Sequence, residues 1–127
     1  MSGDLFPDST LHLLEKTLSW HNRGEEIIAG NLANLETPNY TRKDVNFQEV
    51  LQGYLQGRTG ITLAATNPRH LQTASLDTGL VRETDAPVDL DQEMVNLSMN
   101  QLGYQTSVTM LKKKLDQLRT AIEGGRV

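Results

Sequence analysis

Two long stretches of the chain carry mostly apolar residues at alternating intervals of three and four, and this spacing limits the possible folds more than any other feature. In the first, Leu11, Leu14, Leu18, His21, Glu25, Ile28, Leu32 and Leu35 are spaced 3-4-3-4-3-4-3. In the second, Leu90, Met94, Leu97, Gln101, Tyr104, Val108, Leu111, Leu115, Leu118 and Ile122 are spaced 4-3-4-3-4-3-4-3-4. A repeat averaging about 3.5 positions lines up on one side of a helix and forms the seam that a coiled-coil partner covers. The chain is therefore expected to be mainly α, with an N-terminal helix over residues 10–35 and a C-terminal helix over residues 89–123. The two are expected to pair as an antiparallel coiled-coil hairpin. Residues 36–88 read as a turn, a short helix and a largely irregular arm. At 127 residues there is room for one core, so residues 1–127 are read as a single domain.

The boundaries have local causes. Ser9 or Thr10 suits the start of the first helix, and Gly24 inside it costs about 1 kcal/mol relative to alanine. Before the second helix stands Pro87. Asp89 suits its N-cap, with Gln92 three positions on as in a capping box. Asp89, Asp91 and Glu93 crowd the first turns, Lys112–Lys114 and Arg119 the last third, matching the helix dipole. Gly124-Gly125 is a stop. Phe47, Val50, Leu51, Tyr54 and Leu55 suit a short amphipathic helix. From Gly57 to Ala86 there is little periodicity; Ile61 and Leu63 suit an extended piece and Thr66-Asn67-Pro68 a turn. Antiparallel pairing with Leu35 near Leu90 sets His21 opposite Tyr104 and Glu25 opposite Gln101. The polar interruptions of both seams then share one layer, whereas parallel pairing would set them against leucines.

Composition removes several function classes. With no cysteine, a disulfide scaffold, a thiolate metal site and a cysteine nucleophile are excluded. A net charge of -4 argues against binding nucleic acid or anionic lipid. No apolar run approaches the roughly 20 residues of a membrane span, so no membrane insertion is expected. Met1 to Leu14 has neither a Lys or Arg nor an apolar core, so no cleaved secretory signal is expected. His21 and Glu25 have the i, i+4 spacing of a chelating pair, but no further ligand accompanies them, and a polar layer in the seam is the plainer reading. His12, His21 and His70 have no accompanying nucleophile or phosphate loop. Lys112–Lys114 reads as a solvated helix end. No catalytic, metal or cofactor site is expected.

The end of the first helix reads Asn31-Leu32-Ala33-Asn34-Leu35-Glu36-Thr37-Pro38-Asn39-Tyr40. Asn31 and Asn34 compete with helix by bonding local backbone. Pro38 forbids helix at Thr37. Pro38-Asn39 suits the centre of a type II turn, whose second residue needs positive φ, and Tyr40 can anchor the emerging chain. As a pattern, Ala29, Asn31, Ala33, Asn34, Thr37, Pro38 and Tyr40 resemble the N-terminal signature of the bacterial flagellar axial proteins (the rod, hook and hook-associated families). Gly30 and Asn39 depart from it. Val88-Asp89 with Glu93-Met94, then Asn100-Gln101 with Tyr104-Gln105, resemble elements before the terminal helix in the short rod proteins of that family. Thr66 to Leu71 resembles a mid-chain element.

The resemblance implies a structural subunit of the basal-body rod, exported unfolded without a cleaved signal and located in the periplasmic rod. It implies contacts with other rod subunits, with membrane-ring and export-gate proteins, and self-association in a helical stack. A cytosolic coiled-coil adaptor or chaperone is the alternative from another class; a second, neighbouring rod protein is the alternative within the family. Outside the seams stand Leu13, Trp20 and Ile27 on the first helix and Val95, Met99 and Leu102 on the second. A two-helix hairpin alone cannot bury these six, so they are the expected intersubunit face, covered through heterologous contacts.

Overall fold

The computed structural model describes residues 8–56 and 79–125. In chain order its elements are α1 (Asp8–Ala33), β1 (Lys43–Val45), α2 (Phe47–Leu55), β2 (Val81–Glu83) and α3 (Leu90–Gly124). The fold is mainly helical, and the long N- and C-terminal helices pack against each other. At 1.5 Å per residue α1 and α3 are about 39 and 52 Å long. Among the described residues, no helix is long and apolar enough to cross a membrane.

The helix ends follow the local chemistry closely. α1 begins at Asp8, so Ser9 and Thr10 lie inside it, and it stops at Ala33, leaving Leu35 exposed beyond its end. α3 is capped by Asp89, whose Oδ1 accepts from the N–H groups of Asp91 (3.0 Å) and Gln92 (3.4 Å). The Gln92 Nε2 donates forward to Asn96 Oδ1 at 3.0 Å. α2 spans the short amphipathic stretch and is capped by Asn46. The Asn46 Oδ1 accepts from Glu49 N–H at 3.2 Å, while its Nδ2 donates to the Glu49 carboxylate at 3.0 Å.

The arm is more ordered than its sequence suggests. β1 and β2 form an antiparallel ribbon, with Lys43 opposite Glu83, Asp44 opposite Arg82 and Val45 opposite Val81. Backbone bonds from Arg42 N–H to Ala86 O (2.9 Å) and from Asn46 N–H to Leu80 O (2.8 Å) extend the pairing at both ends. Strands of three residues, two of them charged, are too short to show alternation in sequence. The expected extended piece at Ile61 and Leu63, the turn at Thr66–Pro68 and the family-like element reaching Leu71 lie outside the described residues.

The ribbon and α2 fold back on α1. Trp20, Val50 and Leu80 are the buried centre of an apolar cluster that Leu13, Val45, Phe47, Tyr54 and Val81 surround. The Trp20 and Tyr54 rings meet edge to face, with centroids 6.0 Å apart. Burying Val50 and Leu80 contributes about 1.5–3 kcal/mol each. This packing corrects the expectation that helix 1 offers an intersubunit face. Trp20 is 4% exposed and Ile27 is 6% exposed, both inside the chain, and Leu13 is covered in part by the same cluster. For Trp20 and Leu13 the arm adds the surface that two helices alone could not supply.

The rotation of α3 also differs from expectation. Its buried residues are Glu93, Asn100 and Ser107, flanked by half-buried Asn96, Leu97, Gly103, Val108, Leu111, Lys114 and Leu118. Leu90, Met94, Gln101, Tyr104, Leu115 and Ile122 of the expected seam are exposed. The covered face is thus turned by about 60° from the leucine stripe and keeps Leu97, Val108, Leu111 and Leu118 in common with it. On α1 the expected seam holds better: Leu14 and Ile28 are buried, Leu11, Leu18, His21 and Leu32 half-buried, and Glu25 is exposed.

Candidate functional site

The residues that carry the sequence pattern converge where α1 ends and the arm begins. Asn31 is fully buried. Its Nδ2 donates to Lys43 O at 2.8 Å, and its Oδ1 accepts from Lys43 N–H at 2.9 Å. A side-chain amide presents a donor and an acceptor side by side, as a neighbouring strand does, so Asn31 pairs with β1 as a third strand would. The same Oδ1 accepts from the Tyr40 hydroxyl at 3.2 Å. Asn34 Nδ2 donates to Gly30 O at 2.8 Å and its Oδ1 accepts from the Thr37 hydroxyl at 3.1 Å, while the N–H groups of Asn34 and Leu35 donate to Asn31 O and Leu32 O at the helix end. A turn follows, closed by Tyr40 N–H donating to Thr37 O at 3.3 Å, with Asn39 at φ 64. The expected left-handed residue is therefore in place. Ala33 and Pro38 are both exposed; they stand at the helix end and in the turn.

A chain of charges ties this joint to α3. Arg42 Nε donates to Glu93 Oε1 at 2.6 Å, Arg42 Nη2 to Asp44 Oδ1 at 3.2 Å, and Arg82 Nη2 to Asp44 Oδ2 at 3.0 Å. The Glu93 side chain is fully buried, and its Oε2 has no hydrogen-bond partner among the described residues. Its place in the first turn of α3 sets that negative charge at the positive end of the helix dipole. The hydrogen bond to Glu93 raises the Arg42 pKa, and the Glu93 and Asp44 charges add to it against the opposing effect of burial. Burial pushes the Asp44 carboxyl upward, but the hydrogen bonds from Arg82 and Arg42 outweigh it and hold the group below its ordinary range.

A third polar contact lies farther along the helices. Asn100 Nδ2 donates to His21 O at 2.9 Å, and Asn100 Oδ1 stands 2.9 Å from His21 Nδ1. With the amide nitrogen committed to a carbonyl, Oδ1 is the acceptor and Nδ1 carries the proton. The His21 ring packs against Phe47 at a tilt of 36°, centroids 4.5 Å apart. Two glycines permit this close approach. A Cβ on Gly103 would lie 2.5 Å from His21 Cε1, and one on Gly24 would lie 2.7 Å from Phe47 Cζ. The expected polar layer therefore pairs His21 with Asn100 and Gly103 rather than with Tyr104. Glu25 and Gln101, expected to face each other, are both exposed. A cavity of about 260 Å³ opens beside this layer, lined by His21, Ile28, Val45, Phe47, Asn96 and Asn100 among others.

The structure thus brings together Asn31, Asn34, Thr37 and Tyr40 at one joint, and Asp89 and Glu93 at the start of α3 beside it; Asn100 belongs to the His21 layer. It leaves Met94, Gln101 and Tyr104 on the surface. Val95, Met99 and Leu102 are 52%, 66% and 64% exposed. Sequence reasoning missed Arg42, Asp44 and the special role of Gly103. Arg42 meets Glu93 across 51 positions, which no spacing rule detects. Gly103 did leave a signal, because a glycine inside a long helix costs about 1 kcal/mol and so asks for a packing reason. Among the described residues, no group of three or more His, Asp or Glu side chains is placed to hold a metal ion.

No family model matches the chain. Similarity to individual proteins is extensive. The chain is 32% identical over 126 residues to the flagellar basal body rod protein FlgB of Bacillus subtilis (strain 168), covering 92% of this chain and 95% of that protein. It is 32% identical over 133 residues to FlgB of Yersinia enterocolitica, covering 93% and 96% of the two chains. FlgB of Salmonella typhimurium is 29% identical over 132 residues, with 93% and 96% covered. With 32% identity spread over nearly the full length of both partners, the chain belongs to the family of flagellar basal body rod proteins FlgB.

Proposed function

We propose that this chain is a structural subunit of the bacterial flagellar basal-body rod, acting by packing against neighbouring axial subunits and not by catalysis. The observation that carries the proposal is the near full-length relationship to FlgB proteins. Its motif residues serve a structural purpose in the same sense: Asn31, Asn34, Thr37 and Tyr40 hold the helix end to the arm.

Within this reading α1 and α3 form an antiparallel hairpin with coiled-coil character. The order of contacts supports it. The Asn31 joint lies beside Arg42 and Glu93, Gly24 lies beside Asn100, and His21 lies beside Gly103. Position falls along α1 as it rises along α3. The partners are other rod subunits, together with membrane-ring and export-gate proteins. The chain reaches the periplasmic rod after export in an unfolded state, without a cleaved signal. The intersubunit face is the outer side of α3 at Val95, Met99 and Leu102, whose exposed apolar surface is the kind that an assembly covers.

The test is genetic and structural together. In a strain lacking the native copy, lysine is placed at Val95, Met99 and Leu102. The expected outcome is exported chain, no rods in electron micrographs of basal bodies, and no motility. Normal rods would overturn the assignment of this face, and motile cells without the gene would overturn the rod reading itself.

A further inference from the structure

We infer that two free copies of this chain pair through the outer face of α3, antiparallel and centred on Leu102. The inference deepens the proposed function, resting on the reading of this face as one that another subunit covers.

From Met94 to Leu111, α3 contains no Asp, Glu, Lys, Arg or His. A helix face meant for water over five turns normally carries charge. The outer stripe, opposite the buried one, runs Asp91, Val95, Ser98, Leu102, Thr106, Thr109 and Lys113, all exposed. Its polar groups ask little of water. The Thr106 hydroxyl donates to Leu102 O at 2.9 Å and the Thr109 hydroxyl to Gln105 O at 3.0 Å, both within the helix.

The stripe is symmetric about Leu102. Its intervals are 4-3-4 on one side and 4-3-4 on the other, with an acid at the first end and a base at the last. In an antiparallel pair centred on Leu102, Val95 meets Thr109, Ser98 meets Thr106, and Asp91 of each copy meets Lys113 of the other. A parallel pair would set Asp91 against Asp91 and Lys113 against Lys113. Among the described residues neither charge has an ion-pair partner within the chain. Charge complementarity thus selects a second copy in one orientation. The shared length is about 33 Å. A single helix pair of that length falls short of the roughly 800 Å² per partner of a standard stable interface, so the pairing is weak and reversible. A two-fold contact also closes on itself. It covers the apolar face of free subunits without propagating, and it opens when a growing assembly offers a larger contact.

The absence of cysteine makes the test direct. Under mild oxidation of the full chain, Leu102→Cys is expected to form a disulfide dimer well ahead of Gln48→Cys, an exposed control on α2. Val95→Cys alone is expected to stay monomeric, because its two copies stand about 21 Å apart in this register, beyond disulfide reach. A mixture of Val95→Cys and Thr109→Cys is expected to cross-link. In sedimentation equilibrium, Lys113→Asp should weaken association about three- to tenfold, and adding Asp91→Lys should restore it. Cross-linking of Val95→Cys to itself, or no advantage of Leu102→Cys over the control, overturns the pairing. If lysine at the three face positions abolishes rods while Leu102→Cys fails to cross-link, the rod face stands and the pairing is overturned. If the cross-links form as expected but the lysine variants build normal rods, the pairing is supported and the rod assignment of the face falls.

Discussion

At the scale of single residues, the amide of Asn31 replaces a strand. It makes both bonds to the Lys43 backbone and accepts one from Tyr40, all from a position with no solvent access. Asn31→Ala leaves a buried N–H and carbonyl without partners, which costs about 2–4 kcal/mol. Thermal unfolding followed by circular dichroism should show the melting temperature falling by about 10 °C. Two glycines in the long helices provide a contrast in sign. Gly30 lies in α1 with nothing within 4 Å of where a methyl would stand, so Gly30→Ala should stabilise by about 0.5–1 kcal/mol. Gly103 is helical too, but a methyl there meets the His21 ring at 2.5 Å. Gly103→Ala should destabilise by about 1–3 kcal/mol despite its better helix propensity. Urea titrations of the two variants separate propensity from packing.

At the scale of elements, the ribbon is held to α3 by Arg42 and Glu93. Removing one partner strands a charge that water does not reach. Arg42→Ala should therefore cost about 3–5 kcal/mol, while the paired change of Arg42 and Glu93 to leucine should recover most of that. A double-mutant cycle in urea measures the coupling. The ribbon also has an acid limit. Because the Asp44 carboxyl is held below its unfolded value by Arg82 and Arg42, its contribution is fully present above the ordinary carboxylate range. It is lost as pH falls through the lower folded value. Asp44→Asn should flatten the loss of stability below about pH 4, read as the slope of melting temperature against pH.

Elements also differ in how far sequence makes them legible. The presence of α1, the extent of α2 and α3, the Asp89 cap and the turn at Asn39 are all readable. Each depends on bonds between residues at most four apart, so the necessary partners are adjacent in the sequence. The ribbon is not readable, because Lys43 and Glu83 are joined only when the arm closes. The Arg42–Glu93 pair is hidden for the same reason. The motif at Asn31 to Tyr40 is legible as a stop and turn, but its bond to Lys43 is not.

At the scale of the whole molecule, the apolar content is divided between two uses. Trp20, Val50 and Leu80 make a small internal core with the arm, while Val95, Met99, Leu102, Leu115 and Ile122 stay outside on α3. A chain with so much of its apolar surface uncovered is expected to be unevenly stable. Hydrogen exchange on the free chain should protect amides around Trp20 to Ile28 and in the part of α3 near Asn100. Amides beyond Leu118, where α3 is exposed, should exchange first. Uniform protection along α3 in a dilute monomer would contradict this division.

That two long helices form, where α3 starts and stops, and that the chain turns sharply after Asn34 can all be read from the amino-acid order alone. Helix periodicity, capping and turn chemistry are local, and every one of their partners is within a few positions. Which side of α3 faces α1 was settled by packing between distant segments. The leucine stripe favoured one side, but Gly103 and Asn100 allow a closer approach on the neighbouring side, where His21 finds both a hydrogen bond and room for its ring. Packing of the same kind moved Trp20 and Ile27 from an expected interface into the interior. Helix period sets which residues share a face. What covers that face depends on chain far away in sequence, which for Trp20 is the arm.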